Sequence, residues 1–278
     1  MIHVPRKGPV PRSLDGPGSP ADLERRKNEA AARLTPPGKL VFDVYRNADV
    51  KDALNAIFNF KCAYCESDVR ATEPGDVEHF RPKGVITVRD PAGKVGKRAG
   101  YPWLAAEWSN LLLSCTFCNR PNKHQVRSLP KRTLGKANWF PLADERKRAA
   151  KPQAVAREPR LLLDPCVDKP EKHLAFTPDG DIQPRVVAGV ASAMGEATIE
   201  TCALARIGLM QARARHRRFV ENAALDVREA LQAGRAPGRA LTQLIEMLDP
   251  ASPYVAFTRS VLREQLGPVL RQLHLPGL

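Results

Sequence analysis

Cys62-Ala-Tyr-Cys65, Asp76-Val-Glu78-His79-Phe-Arg81-Pro-Lys83, Trp108-Ser-Asn110-Leu and Cys115-Thr-Phe-Cys118-Asn119, in that order between residues 62 and 119, decide how this chain is read. Each C-x2-C pair sits on a tight turn that aims two sulfurs at one point, and four thiolates complete the tetrahedral shell of a zinc ion. One pair alone is weak evidence, whereas two pairs enclosing a compact segment are strong. A four-thiolate shell leaves no open position, so this Zn2+ is expected to hold the fold while the enclosed residues carry any chemistry. A thiol-disulfide role for Cys62 and Cys65 leaves the second pair and the enclosed Glu-His pair without a purpose.

Working outward, Asp76 to Phe80 suits a short strand, Leu111 to Cys115 a second one, and a helix is expected to start near Thr116. The order is strand, loop, strand, helix with zinc at its base, a ββα-metal arrangement. Pro121 is tolerable in the first turn of that helix and disruptive later. Gly84 to Gly100 reads as a mobile Gly/Lys-rich excursion, and Trp103 and Trp108 as core aromatics near Asn110.

Glu78 and His79 are the candidate chemical pair. A carboxylate suits a hard divalent cation such as Mg2+, and a neutral imidazole takes a proton from water near neutral pH. Asn119, its backbone pinned by the knuckle, offers a carbonyl oxygen as a second ligand, and Asn110 a brace for the His79 segment. Arg81, Lys83, Arg120 and Lys123 are candidate phosphate contacts, with Asp76 and His124 a spare carboxylate and a spare imidazole. Each has a plainer reading: the Glu-His pair as surface residues, Asn119 as a helix cap, the cations as solvated charge.

Framed by Cys62, Cys65, Cys115 and Cys118, the residues Glu78-His79, Asn110 and Asn119 resemble the HNH endonuclease family in the form where Asn replaces the final His. The phrases Lys61-Cys-Ala-Tyr-Cys-Glu66, Val77-Glu-His-Phe-Arg-Pro-Lys83, Glu107-Trp-Ser-Asn-Leu-Leu-Leu-Ser-Cys115 and Leu161-Leu-Leu-Asp-Pro-Cys166 resemble more narrowly the HNH nuclease subunit of Septu-type anti-phage systems and related retron modules. The HNH likeness covers about residues 58 to 125 and the narrower one extends loosely to about 225. The resemblance implies metal-assisted DNA cleavage leaving a 5′-phosphate and a 3′-hydroxyl. Catalysis would rest on His79, Glu78, Asn110 and Asn119, with Mg2+ or Mn2+ on Glu78 and Asn119. An ABC-type, chromosome-maintenance-like ATPase is the implied partner.

Composition agrees with a polyanionic partner. The chain has 44 Lys and Arg against 30 Asp and Glu, a formal charge of +14. Twelve of those cations lie between Arg120 and Arg160, against Asp144, Glu145 and Glu158. The first residues lack an apolar signal core and no stretch approaches the ~20 apolar residues of a membrane span, so a cytoplasmic protein is expected. Cys166 and Cys202 are left as small buried apolar residues.

The expected fold is α+β and mainly helical, with the zinc-stapled ββα-metal core inserted in a larger helical body. Residues 1–20 read as a flexible Pro/Gly-rich arm and 21–60 as N-terminal helices, the second N-capped by Asp49. Residues 61–135 form the nuclease core, 136–190 a basic linker with a hairpin turning at Asp179-Gly180, and 191–278 a helical region with helices near 196–233, 237–248 and 252–266. Asp164, Asp168 and His173 read as structural turn residues. The same features also suit a zinc-stapled nucleic-acid-binding or adaptor module without catalysis.

Overall fold

Val50, Leu54 and Phe58 recur at helical spacing and are all fully or nearly fully buried, which fixes how the chain enters the first cysteine pair. The computed structural model describes residues 1–70, 73–90, 92–267 and 269–278, with the backbone alone at 271 and 272. Helix α1 (Pro20–Ala32) begins behind Ser19, whose hydroxyl accepts from the Asp22 amide, and has Pro20 in its first turn. It buries no residue and is tied down by polar bonds instead: Glu24 accepts from the amides of Asp43 and Val44. Helix α2 (Ala48–Phe58) packs its apolar face on the strand that leads into the second cysteine pair. Its N-cap position is Asn47; Asp49, expected there, spends its carboxylate on the amide and hydroxyl of Ser13.

Strand β1 (Asp76–His79) is followed by β2 (Val85–Arg89), β3 (Val95–Ala99) and β4 (Leu111–Ser114), then the single turn α3 (Thr116–Asn119). β1 pairs antiparallel with β4, placing Glu78 opposite Leu112 and His79 opposite Leu111. The expected order of strand, strand and helix is present, but the helix stops after one turn: Arg120, next to Pro121, is extended (φ −89°, ψ 152°). A residue before proline is driven out of the helical region. The segment read as a mobile excursion is a β2–β3 hairpin burying Ile86 and Val88. Alternation along Val85-Ile-Thr-Val-Arg89 was the signal for it, masked by the glycines and lysines around it.

Two further hairpins, β5 (Asn122–His124) with β6 (Arg132–Leu134) and β7 (Leu174–Phe176) with β8 (Ile182–Pro184), precede a small pair β9 (Val186–Val187) and β10 (Val190–Ala191). The β7–β8 loop holds Gly180 at φ +85°, where an added Cβ would lie 2.4 Å from the Met210 carbonyl oxygen. The remainder is helical: α4 (Ala193–Thr201), α5 (Ile207–Gln232), α6 (Gly238–Leu248), α7 (Val255–Leu266) and α8 (Leu270–Leu273). One helix over 196–233 was expected; the chain breaks it at Cys202–Arg206, with Ala203 at φ 50°. Cys202, Leu204 and Ala205 are buried there, so packing overrides a sequence with no breaker.

Buried residues form two clusters, one around the four knuckle cysteines and one among α5, α6 and α7. They are joined by polar contacts: Lys61 Nζ donates to the Ser252 carbonyl (2.7 Å), and the Ser67 and Tyr254 hydroxyls lie 3.2 Å apart. Among the described residues, no helix is long and apolar enough to cross a membrane.

The N-terminal arm is extended but docked. Met1 and Ile2 are buried, the Val4 amide donates to the Pro165 carbonyl, and Arg6 Nη2 donates to the Leu111 carbonyl at 2.5 Å while its guanidinium lies over Trp108. Arg6 therefore props the start of β4, and Arg6→Ala is expected to cost about 1.5–3 kcal/mol in urea unfolding, the range for a hydrogen bond from a charged donor. A change below about 0.5 kcal/mol, the size of an ordinary surface effect, would show that the arm is solvated instead.

Candidate functional site

The four knuckle cysteines converge. Cys62, Cys65, Cys115 and Cys118 are all buried, and their sulfurs lie within 4.8 Å of one another. Cys65 and Cys115 Sγ are 3.7 Å apart, which matches the edge of about 3.8 Å of a tetrahedron with zinc–sulfur bonds of about 2.3 Å. Local backbone bonds make the turns: the Glu66 amide donates to the Cys62 carbonyl, and the Cys118 and Asn119 amides donate to the Cys115 carbonyl. Strand β4 brings the two turns together, because the Ala63 amide of the first knuckle donates to the Leu113 carbonyl just before the second. Arg206, at the unexpected break before α5, donates to Cys118 Sγ (3.4 Å) and balances thiolate charge. Hydrogen bonds from Cys115, Cys118 and Cys62 hold the Cys65 thiol well below its ordinary pKa. The donor set and spacing fit Zn2+, and a closed shell of this kind supplies stability rather than chemistry.

Beside the knot lies an open groove of about 670 Å³ whose walls include Glu78, His79, Lys83, Asn119 and Arg120. His79 is buried at the end of β1 and its Nε2 lies 2.9 Å from the Ala105 carbonyl oxygen. A carbonyl can only accept, so Nε2 carries the proton and Nδ1 keeps its lone pair. Burial, and then the nearby charge of Lys83, push the ring's pKa down to about 3, so it is neutral at physiological pH. Lys83 Nζ stands 3.4 Å from Nδ1, and the Tyr45 ring meets the imidazole edge-on at 4.5 Å between centroids.

Glu78 is buried, and desolvation raises its carboxyl pKa against the opposing pull of Lys136. Lys136, itself without solvent exposure, forms an ion pair with Glu78 Oε1 and donates to the His79 carbonyl oxygen at 2.8 Å. Oε1 receives no hydrogen bond of good geometry despite that contact, so the attraction is Coulombic and leaves a lone pair unused. Asn119 Nδ2 donates to Asp76 Oδ2 (2.9 Å), which turns Oδ1 away from that carboxylate. Asp76 also takes a two-pronged bond from Arg120. Glu78, with its unfilled oxygen, and the Asn119 amide oxygen are hard donors of the type Mg2+ or Mn2+ takes. Among the described residues the cysteine knot is the one set of three or more Cys, His, Asp or Glu donors drawn together, so any ion on Glu78 relies on Asn119, water or substrate for the rest of its shell.

Asn110 does not line the groove. Its amide accepts from the Arg81 amide and donates to the Arg81 and Leu104 carbonyls, bracing the turn directly after His79. Arg81 is a correction to the sequence reading: its guanidinium turns inward, pairs with buried Glu158 at 2.8 Å and lies near Phe80 and Phe140. Lys123 is exposed on β5 and outside the groove, and His124 faces the Phe117 carbonyl with its pKa lowered by burial. Asp164 caps the turn at Cys166, and His173 contacts the Ser192 hydroxyl.

Sequence reasoning missed Lys136, Tyr45, Arg46 and Lys51, all within or against the groove. The signal for Lys136 was slight: it follows Gly135, whose φ of +125° and place 2.0 Å (as a notional Cβ) from the Arg120 carbonyl oxygen make it a close-approach glycine. From there the Lys136 amide donates to the Cys118 carbonyl, strapping the segment over α3. Lys136→Met is expected to destabilise the protein by about 3–5 kcal/mol, because it leaves Glu78 buried without its counter-charge. A loss under about 1 kcal/mol in chemical denaturation would mean that water already reaches the carboxylate.

A buried histidine, a buried carboxylate and the Asn119 amide thus line one groove beside a four-sulfur knot. The chain is similar to Septu protein PtuB. It is 36% identical to that protein of Bacillus mycoides (strain KBAB4) over 200 residues, 72% of this chain and 60% of PtuB. A PtuB of Bacillus thuringiensis is 29% identical over 132 residues, 47% of this chain and 40% of that one. Septu protein PtuA of Bacillus mycoides is 30% identical over 162 residues, 56% of this chain but 19% of PtuA. The chain thus spans about three fifths of the length of the Bacillus mycoides PtuB it matches. No family model matches the sequence.

Proposed function

We propose that this chain is an HNH metal-dependent DNA endonuclease, the nuclease subunit of a Septu-type anti-phage defence complex in the bacterial cytoplasm. The observation that supports it most is the placement of His79: the Ala105 carbonyl holds its Nε2–H, which leaves Nδ1, beside Lys83 Nζ, as the acceptor nitrogen on the wall of a groove that also carries Glu78 and Asn119. His79 Nδ1 takes the proton from water as its oxygen bonds to phosphorus; the bond from phosphorus to the 3′ oxygen breaks, that oxygen keeps the electron pair and takes a proton from solvent to become a hydroxyl, and the 5′-phosphate stays on the other product. Glu78 and Asn119 would hold Mg2+ or Mn2+, which when bound neutralises charge gathering on the phosphate and leaving oxygen. Asn110 keeps the turn after His79 in register, while Lys83 and Arg120 draw the DNA backbone to the groove. The similarity to PtuB and PtuA supports the defence assignment, with an ABC-type ATPase as the partner that restrains or directs cutting.

The test is incubation of purified protein with plasmid and with single-stranded DNA, with and without Mg2+ or Mn2+. Divalent-dependent nicking is expected. A second reading, a non-catalytic zinc-stapled adaptor, is favoured by one contact: Lys136 already neutralises Glu78. That reading wins if DNA binds with strong salt dependence and no metal produces turnover. Co-expression with an ABC-type ATPase of a Septu system should yield a complex that purifies together; separate elution would remove the partner assignment.

A further inference from the structure

The β2–β3 hairpin leaves the groove directly, since Lys83, Gly84 and Val85 belong to the groove wall. Its root is locked: a Cβ at Gly100 would sit 1.6 Å from the Gly84 carbonyl oxygen, so the two arms touch through bare backbone. Ile86 and Val88 anchor one side in the core, and the Thr87 amide donates to the Asn138 carbonyl. The ribbon is therefore held at a fixed angle to the groove rather than swinging freely.

The outer arm has a different character. β3 is exposed at every position, and its far edge pairs with no strand among the described residues. Lys94 at the turn into it, and Lys97 and Arg98 on it, are exposed and have no carboxylate partner among the described residues, and Arg89 across the ribbon lies over Trp139. Asp90 is the acid within this hairpin, and one of its oxygens is taken by the Lys94 amide. Five residues of strand reach about 17 Å. Duplex DNA rises about 3.4 Å per step, so the arm matches roughly five steps of charged backbone. The major groove of a duplex also admits a two-stranded ribbon, whereas a single strand offers no such channel.

We infer that the β2–β3 hairpin is a second DNA-binding element that grips double-stranded DNA alongside the cleavage groove through Lys94, Lys97 and Arg98. The inference rests on the nuclease reading of the groove and names its substrate as duplex. The three side chains are exposed, so Lys94→Ala, Lys97→Ala and Arg98→Ala combined in the full chain should leave zinc content and melting unchanged. Binding of a labelled 30-base-pair duplex and of one of its strands is measured by fluorescence anisotropy between 50 and 300 mM salt, on zinc-loaded protein with no Mg2+ or Mn2+ added and no chelator, so that nothing is cut and the cysteine site keeps its metal. The variant's slope of log affinity against log salt for duplex should fall in magnitude by about 2–3, at about 0.9 per lost phosphate contact, with affinity down at least ~10-fold. An unchanged slope and affinity overturns the hairpin assignment while leaving the nuclease reading intact. An equal loss on the single strand overturns the duplex assignment. Failure of the unsubstituted protein to bind either DNA overturns the nuclease reading itself.

Discussion

Cys65→Ser is expected to unfold the zinc half of the protein at physiological temperature. Such a site is worth about 10–16 kcal/mol in isolated zinc-binding peptides, as much as the about 5–15 kcal/mol that separates a whole domain from its unfolded state. The knot ties residues separated by some fifty positions, and the β1–β4 ladder it supports carries both Glu78 and His79. The second buried cluster, in α5, α6 and α7, contains none of the four cysteines, so its helices should outlast the knot. The three tryptophans, Trp103, Trp108 and Trp139, all lie in the sequence before that cluster and report the zinc half alone. Their fluorescence should shift to the red in the variant while much of the far-ultraviolet helical signal remains. Native tryptophan emission with metal content near zero would show that the apolar core, not the metal, holds this half together.

The same contrast explains what could be read from the sequence. Cysteine spacing is local and metal geometry is stringent, so Cys62, Cys65, Cys115 and Cys118 were legible without coordinates, and so were two strands flanking them. The outward fate of a charged residue was not. Arg81 and Lys83 are two positions apart on the same stretch, yet one pairs with Glu158 seventy-seven residues away and the other stands over Tyr45. Neither Glu158 nor Tyr45 carries a spacing that points back to them. Lys136 was hidden for the same reason: a lysine in a run of basic residues looks solvated until the chain shows Gly135 folding it beneath Glu78. The docked arm and the break at Cys202–Arg206 follow the same rule, because in both cases distant packing partners outweigh Pro/Gly content or helix propensity.

His79→Ala is expected to lower metal-dependent cleavage of DNA by two to four orders of magnitude, the usual contribution of one positioned general base. Among the described residues of the groove, the substitution removes the one ring nitrogen with a lone pair, since the Lys83 side chain offers donors and the Asn119 amide has no lone pair basic enough to take a proton from water. Binding should be nearly untouched, because the groove's cations Lys51, Lys83 and Arg120 remain. Structure should also survive: the four cysteines lie outside the substitution, and the loss is the hydrogen bond to the Ala105 carbonyl, the contact of Lys83 with Nδ1 and one ring contact with Tyr45. The decisive comparison is therefore single-turnover cleavage at saturating protein, with zinc content and DNA affinity measured on the same sample. A rate within about threefold of the unsubstituted protein, against the ~100-fold or more a general base contributes, would remove His79 from the chemistry. A rate that falls only as far as DNA affinity falls would make the imidazole a wall of the groove rather than its base.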